Sequence, residues 1–378
     1  MHNIAGAQVC LMLQIVGIIL CSLRLRGVVE ATDSTPMFVF GDSYLDTGNR
    51  DNLSRPWNPP YGMTWPDRPA GRYSDGHLLT DFVGMCLLLS RIRPCSRIMP
   101  WVCKEEIYRS EIVKYGVNFA VGASGVFQGI VNSTNLGAQV DHLISLLEAH
   151  SIELPPPQKT LMLLNIGGND YSQFFKENGS KKDLPDLIRR IVGGITENLK
   201  RLHALGVRRF AVFNLAPMGC NPKQTTPISY KYCISAVNIV SEDHNRVLLQ
   251  EVHATLSALK DTDFSILDQY RAFLLVINHA HLFGFKHRLK PCCQIKTGRI
   301  TECGLRDENG EPLYEVCSDP ENYFFWDGDH PTQAGWSALV AIIAENQFFN
   351  QRKPIKSQLP VDDLALNRHP QNISIIDT

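Results

Sequence analysis

The sequence has little excess charge of either sign, with 37 Lys and Arg residues against 38 Asp and Glu residues and a formal net charge of −1. It also lacks a basic run interleaved with aromatics, a Walker-type glycine-rich loop and a long-period repeat. No bulk field therefore draws the chain to nucleic acid or to an anionic membrane. CxxC pairs with histidine partners are absent as well, so we expect no zinc site.

What is present is ordinary globular composition. The chain has 378 residues, of which 44% are hydrophobic and 20% charged, enough for one large or two medium domains. No linker or shift in composition divides it, so we expect one domain over residues 32–350. The polar, proline-broken segment 351–378 is expected to be a loosely attached tail.

The N-terminus is typical of a targeting segment. Val9 to Leu23 is almost continuously apolar but is shorter than the ~20 residues that a membrane span needs. Small residues near Ala31 suit a signal peptidase, which predicts a signal peptide over 1–31 and no membrane span after cleavage. An uncleaved anchor is the alternative, because Arg24 and Arg26 follow the apolar core and the start lacks basic residues.

Cysteines and glycosylation sequons agree with export. The mature chain would keep an odd number of cysteines, so at least one should be unpaired. These cysteines are Cys86, Cys95, Cys103, Cys220, Cys233, Cys292, Cys293, Cys303 and Cys317. Cys220 and Cys233 could close a short loop, whereas the pairing of the others stays open. The acceptor pattern for N-glycosylation occurs at Asn52, Asn132, Asn178 and Asn372.

Apolar runs alternate with amphipathic stretches along the chain. Strands are predicted near 38–40, 115–120, 160–166, 209–215 and 265–267, and helices near 78–89, 136–150, 184–205, 234–259 and 332–348. This alternation predicts an α/β fold, a single three-layer α/β/α domain with a mostly parallel central sheet. The glycine-rich turns follow strands and should gather at one edge of the sheet.

The organising motif is the run Phe38-Val39-Phe40 followed by Gly41-Asp42-Ser43, which puts a hydroxyl at the carboxyl end of a buried strand. A strand followed by an Asx-type turn is the simpler interpretation of this motif alone. Asp42 and the nearby Asp46 are expected to stabilise the turn and not to act as acids or metal ligands.

Four stretches together resemble the motif blocks of the plant-type GDSL esterase/lipase family of the SGNH hydrolase superfamily. They are 38–49 around Gly-Asp-Ser, 118–125 (Asn-Phe-Ala-Val-Gly-Ala-Ser-Gly), 166–170 (Ile-Gly-Gly-Asn-Asp) and 325–332 (Phe-Trp-Asp-Gly-Asp-His-Pro-Thr). Their order and spacing follow the family. The resemblance implies an SGNH, flavodoxin-like hydrolase fold with Ser43 as nucleophile.

The chemistry of these blocks is coherent. A serine hydroxyl needs a base, and His330 suits that task near neutral pH. Asp327 lies three residues earlier and could orient His330, although Asp-Gly-Asp-His-Pro-Thr could instead be only a helix N-terminus. Asn169 could donate its amide to an oxyanion, or could simply be a turn residue.

The resemblance also implies an oxyanion hole formed by the N–H of Ser43, a glycine N–H from 118–125 and Asn169. The glycine is most naturally Gly122, with Gly125 as the alternative, because Ala123 and Ser124 depart from the family pattern.

Other segments carry weaker signals. The segment 85–104 departs from plant-type members and is expected to be irregular. The Pro/Trp-rich loop 55–66 is expected to be either a cleft wall or a rigid surface loop. The remaining helical histidines are expected to be solvated or to lie at the core edge: His142, His203, His244 and His253.

The sequence therefore predicts a secreted serine esterase or lipase that hydrolyses carboxylic esters of lipids or acylated small molecules and carbohydrates through a Ser-His-Asp triad. No metal or cofactor is needed. An acyltransferase with the same triad and a non-catalytic secreted glycoprotein that keeps the fold are the alternatives. The acyl and alcohol parts of the substrate stay open.

Overall fold

The structure is a computed structural model, and it describes residues 36–88, 99–100, 116–127, 134–149, 152–296 and 302–350. The expected signal peptide 1–31 and tail 351–378 lie outside the described residues, as do Cys95, Cys103, Asn132 and Asn372. The side chain of Cys86 is also outside them.

A six-stranded parallel sheet organises the chain, in the order β2-β3-β1-β4-β5-β6. Its strands are β1 (Met37–Gly41), β2 (Met99–Pro100), β3 (Gly116–Asn118), β4 (Leu161–Asn165), β5 (Arg209–Phe213) and β6 (Asp263–Leu267). Because all pairs are parallel, the turns that follow these strands meet at one edge.

Helices cover both faces of the sheet. In chain order they are α1 (Leu79–Leu88), α2 (Leu136–Glu148), α3 (Gly168–Lys176), α4 (Leu184–Ala204), α5 (Pro222–Thr225), α6 (Ser235–Ser257), α7 (Gln269–Asn278) and α8 (Gln333–Asn350). Residues of α2, α4 and α6 belong to one hydrophobic cluster, and residues of α7 and α8 belong to another. The expected three-layer α/β/α architecture is confirmed.

Side chains along β1 alternate between two hydrophobic clusters, so both faces of this strand are buried. Phe38 and Phe40 point into the first cluster, whereas Met37 and Val39 point into the second. All four side chains are at most 1% exposed. A strand that buries both faces reads as a continuous apolar run, which is how this strand appears in the sequence.

Short strands and disulfides organise the later part of the chain. A parallel pair joins β7 (His287–Pro291) to β10 (Tyr323–Phe325), and an antiparallel pair joins β8 (Cys293–Ile295) to β9 (Tyr314–Val316). Among the described residues, the disulfides are Cys220–Cys233, Cys292–Cys317 and Cys293–Cys303. The first closes the loop as the sequence suggested.

One segment differs from its prediction. The stretch around 90–104 was expected to be irregular, yet Met99–Pro100 forms the edge strand β2 and pairs in parallel with β3. The hydrogen bonds of a sheet edge, and not a local apolar pattern, give this pair its extended conformation. Among the described residues, no helix combines the length and apolar character required to cross a membrane.

Candidate active site

The turn that carries Ser43 begins at a glycine that no other residue could replace without strain. Gly41 ends β1 at a φ of +152°, and a Cβ there would lie 2.2 Å from the carbonyl oxygen of Asn165. The side-chain amide of Gln139 on α2 donates to Gly41 O and accepts from Gly41 N, both at 2.8 Å. Ser43 lies two residues after this clamped glycine, so the fold fixes where its hydroxyl lies.

His330 lies beside Ser43. The serine Oγ is 2.8 Å from His330 Nε2, although the two residues are 287 positions apart in the sequence. The backbone around the histidine is anchored, since the N–H of Trp326 donates to His330 O at 2.7 Å. Both side chains are buried, with Ser43 9% exposed and His330 5% exposed.

Asp327 lies on the other side of the imidazole. His330 Nδ1 is 2.8 Å from Asp327 Oδ1 and 2.9 Å from Oδ2, and the backbone N–H of His330 also donates to Oδ1 at 2.9 Å. This network assigns the proton to Nδ1 and leaves the lone pair of Nε2 facing the serine hydroxyl. Burial opposes ionisation of Asp327, but the attraction of His330 brings the pKa of this carboxyl below its ordinary value.

Aromatic side chains enclose the histidine, and sequence reasoning missed them. The Tyr73 ring lies 4.9 Å from the imidazole centroid at an interplanar angle of 31°, and the Tyr44 ring lies edge-on at 5.8 Å. The hydroxyl of Tyr44 donates to Asp329 O at 3.0 Å. The hydroxyl of Tyr61 donates to Asp327 Oδ2 at 2.8 Å. The available signal was the position of Tyr44 within the serine motif and of Tyr61 within the Pro/Trp-rich loop.

Asn169 lies in the first turn of α3, which begins at Gly168, three residues after the end of β4. Its Nδ2 donates to Ser124 O at 2.9 Å and so links this turn to the loop that follows β3. An amide nitrogen carries two hydrogens, so the second remains able to donate to a substrate. Asn169 is half-buried, as a residue at the edge of a cleft would be.

Hydrogen bonds in the loop after β3 bear on the two glycines that were expected as oxyanion donors, Gly122 and Gly125. The N–H of Gly122 donates to Asp46 Oδ2 at 2.7 Å, so this donor is already bound to a carboxylate. Gly125 forms a parallel bridge with Asn135. Ala123 lies between them at a φ of +65° and is partly exposed, whereas residues 119–122 and 124–126 are buried. Ala123 is therefore added to Gly122 and Gly125 as a candidate donor, one that the glycine pattern of the family did not suggest.

Asp46 connects the two loops. Its carboxylate accepts the backbone N–H groups of Gly48, Asn49 and Arg50 at 2.8, 2.6 and 3.1 Å, in addition to that of Gly122. Burial raises its pKa to about 6, against the effect of these donors. This is the geometry of a turn stabiliser, the role expected for Asp46.

The loop closed by Cys220–Cys233 also reaches the turn that carries His330. Lys223 Nζ lies 2.6 Å from Asp329 Oδ1, and Asn221 Nδ2 donates to the same oxygen at 3.1 Å. The N–H of Lys223 donates to Gly328 O at 3.0 Å. These bonds hold the 327–330 turn from its outer side. Among the described residues, no three His, Cys, Asp or Glu side chains are grouped as metal ligands.

Comparison with known proteins shows which family the sequence belongs to. A family model described as GDSL-like lipase/acylhydrolase matches residues 37–343, which is more than half of the chain. The chain belongs to this family. The resemblance of the four motif blocks is thereby confirmed, and with it the broad class of an esterase or lipase hydrolase of the SGNH type.

Plant members of the GDSL family are similar to this chain along most of their length. Two GDSL esterase/lipases of Arabidopsis thaliana are 38% and 35% identical over 318 and 314 residues, covering 82% and 81% of this chain and 86% of each relative. GDSL esterase/lipase 5 of the same plant is 30% identical over 328 residues, 82% of each chain.

Proposed function

We propose that this GDSL family member is a secreted serine esterase that hydrolyses carboxylic esters through Ser43, His330 and Asp327. One observation carries the proposal: an unbroken line of hydrogen bonds runs from Ser43 Oγ through His330 to Asp327, with 2.8 Å at each step. This arrangement meets the requirement of a nucleophile, a base and an orienting group within hydrogen-bond reach.

The first half of the reaction forms an acyl-enzyme. Ser43 Oγ attacks the ester carbonyl carbon while His330 Nε2 takes the serine proton, and Asp327 stabilises the imidazolium that results. The tetrahedral intermediate collapses when the carbonyl re-forms and the bond to the alcohol oxygen breaks. His330 gives its proton to that oxygen, and the alcohol leaves.

The second half releases the acid. Water attacks the acyl carbon as His330 takes one of its protons, and the Ser43 Oγ–carbon bond breaks as the proton returns to the serine. In both halves the oxyanion would accept hydrogen bonds from the N–H groups of Ser43 and Ala123 and from Asn169 Nδ2. The donor of Asn169 that Ser124 does not use supports this assignment.

Ester substrates are supported by the names of the relatives, which are esterase/lipases. Export is supported by the apolar start of the chain and by three disulfides, which persist in oxidising compartments. The sequon residues Asn52 and Asn178 are exposed and so accessible to glycosylation.

Replacement of the nucleophile tests the proposal. Ser43→Ala should abolish turnover of short p-nitrophenyl esters and labelling by a fluorophosphonate probe while the melting temperature is maintained. Ser145→Ala, on the exposed side of α2, is the matched control and should keep full activity. Hydrolysis that persists in Ser43→Ala at the native rate would refute the assignment. Labelling without hydrolysis, with ester products when an alcohol is added, would point to an acyltransferase.

A further inference from the structure

The carboxylate of Asp327 receives a donor from outside its own turn. Its Oδ1 accepts the backbone N–H groups of Asp329 and His330, each at 2.9 Å. Its Oδ2 accepts the hydroxyl of Tyr61 at 2.8 Å, from a loop 266 residues earlier in the chain. The tyrosine hydroxyl therefore holds the second oxygen and limits rotation of the carboxylate about its Cβ–Cγ bond.

Tyr61 is itself held in place. Its side chain is 1% exposed, and its ring packs edge-on against Trp326 at 6.1 Å and against Tyr73 at 6.2 Å between centroids. The backbone on its C-terminal side is anchored because the N–H of Gly62 donates to Ser74 O at 3.0 Å. A group locked by packing on this scale can orient the carboxylate that it touches.

The bond joins a neutral donor to a charged acceptor. Burial and the negative charge of Asp327 raise the pKa of the Tyr61 phenol well above its ordinary value, so the phenol keeps its proton. Hydrogen bonds to an ionised carboxylate are roughly twice as strong as neutral ones. The titratable and charged groups that act on Asp327, Tyr61 or the imidazole are His330, Arg55, Tyr73, Tyr44 and Asp42.

We propose that Tyr61 is a positioning residue for ester hydrolysis, whose hydroxyl fixes the Asp327 carboxylate so that it aims His330 at Ser43. The inference rests on the proposed function, since it concerns the same triad. It also assigns a role to the Pro/Trp-rich loop 55–66, which supplies this hydroxyl.

Loss of the hydroxyl has two consequences. The carboxylate keeps its donors at Oδ1 but loses the tyrosine donor at Oδ2, so its orientation is less restricted. The histidine then spends less time aligned with Ser43, and kcat falls about tenfold with KM unchanged. The carboxylate also keeps more of its negative charge and holds a proton on His330 more strongly. The acid limb of the kcat against pH profile therefore moves to higher pH.

The test compares Tyr61→Phe with Tyr314→Phe in the full mature chain. Tyr314 and Tyr61 belong to one buried hydrophobic cluster, and Tyr314 donates its hydroxyl to Pro59 O at 2.9 Å. Removal of the Tyr314 hydroxyl therefore perturbs the same loop without touching Asp327. Tyr61→Phe should lower kcat and shift the acid limb upward for a short p-nitrophenyl ester. Tyr314→Phe should leave the acid limb where it is in the native protein.

A double-mutant cycle separates positioning from simple packing. In an Asp327→Asn background, Tyr61→Phe should lower kcat no further, because the carboxylate that it positions is gone. An equal loss in both backgrounds, or a native acid limb in Tyr61→Phe, would overturn the inference while leaving the esterase intact. If the proposed function itself is wrong, the result is different: ester hydrolysis by the native protein does not depend on Ser43, and Ser43→Ala keeps it.

A second variant keeps the inference testable if Tyr61→Phe does not fold. Incorporation of 3-fluorotyrosine at position 61 preserves the shape of the ring and makes the phenol a stronger donor. The acid limb should then move to lower pH, because the carboxylate shares more of its charge with the phenol. A shift in the opposite direction, or no shift, contradicts the role of this hydroxyl.

Discussion

Buried carboxyl groups line the loops that meet at Ser43. Burial raises the pKa of Asp42 to about 7, and that of Asp46 and Asp170 to about 6. Each carboxyl is therefore neutral in the folded chain at a pH where it is already ionised in the unfolded chain. The folded state binds more protons in that window, so its stability must fall as pH rises through it.

This linkage predicts a pH-dependent melting temperature. The melting temperature should decrease from about pH 4 to about pH 7, with Asp42 contributing roughly 2–4 kcal/mol to the change. Asp42→Asn should flatten the slope, because an amide carries no charge to desolvate. Asp243→Asn, at a half-exposed position on α6, serves as the control and should keep the native slope. Calorimetry across this pH range would check both variants.

Asn169 supports a second prediction at the scale of single residues. Asn169→Ala should lower kcat about 100-fold with little change in KM, because its amide would bind charge that develops only in the transition state. Steady-state kinetics with a short ester measures both constants. A loss confined to KM would contradict a role in the oxyanion hole.

Elements with a clear apolar pattern along the chain could be predicted from the sequence. The helix expected near 184–205 is Leu184–Ala204, and the strand expected near 209–215 is Arg209–Phe213. Helix α3 could not be predicted from the sequence, because Gly167 and Gly168 suggest a turn and the helix is stabilised by tertiary contacts. One of these is the hydrogen bond between the Tyr171 hydroxyl and His244 Nδ1, which joins α3 to α6 at 2.8 Å. His244 is fully buried, so the expected solvated or core-edge position was wrong for this residue.

Two glycines give predictions of opposite sign at the level of elements. Gly41→Ala should destabilise the fold by about 3 kcal/mol or more, because its Cβ would overlap the backbone of β4 at a strained φ. Gly193→Ala, in the middle of α4 with nothing within 4 Å of its Cβ, should stabilise it by about 0.5–1 kcal/mol. Urea unfolding of both variants measures these changes.

At the scale of the whole molecule, the site joins the two ends of the domain. Ser43 follows β1, whereas Asp327 and His330 precede α8, and the sequence suggested this pairing through its chemistry and through the order of the motif blocks. The supporting contacts were not predictable: Tyr61 and the disulfide-closed loop approach the triad through folding and not through local pattern. Pairing of Cys292 with Cys317 and of Cys293 with Cys303 likewise required the structure.

The disulfide-closed loop leads to a prediction for the whole domain. Cys220→Ser combined with Cys233→Ser should lower the free energy of unfolding by about 3 kcal/mol, as expected for a closed loop of this length. It should also reduce kcat, because Asn221 and Lys223 of this loop hold the turn that carries His330. Denaturation and kinetics on the same sample test both effects. If the variant is less stable but its kcat equals that of the native protein, the loop only stabilises the fold.

The central claim is that Ser43 forms an acyl-enzyme. Incubation of the native protein with p-nitrophenyl acetate, an acid quench and peptide mass spectrometry would test it most directly. The account predicts one added acetyl group on the peptide that contains Ser43, lost on longer incubation as water releases it, and absent in His330→Ala. An acetyl group on another residue, or hydrolysis with no adduct at Ser43 at any quench time, would contradict it.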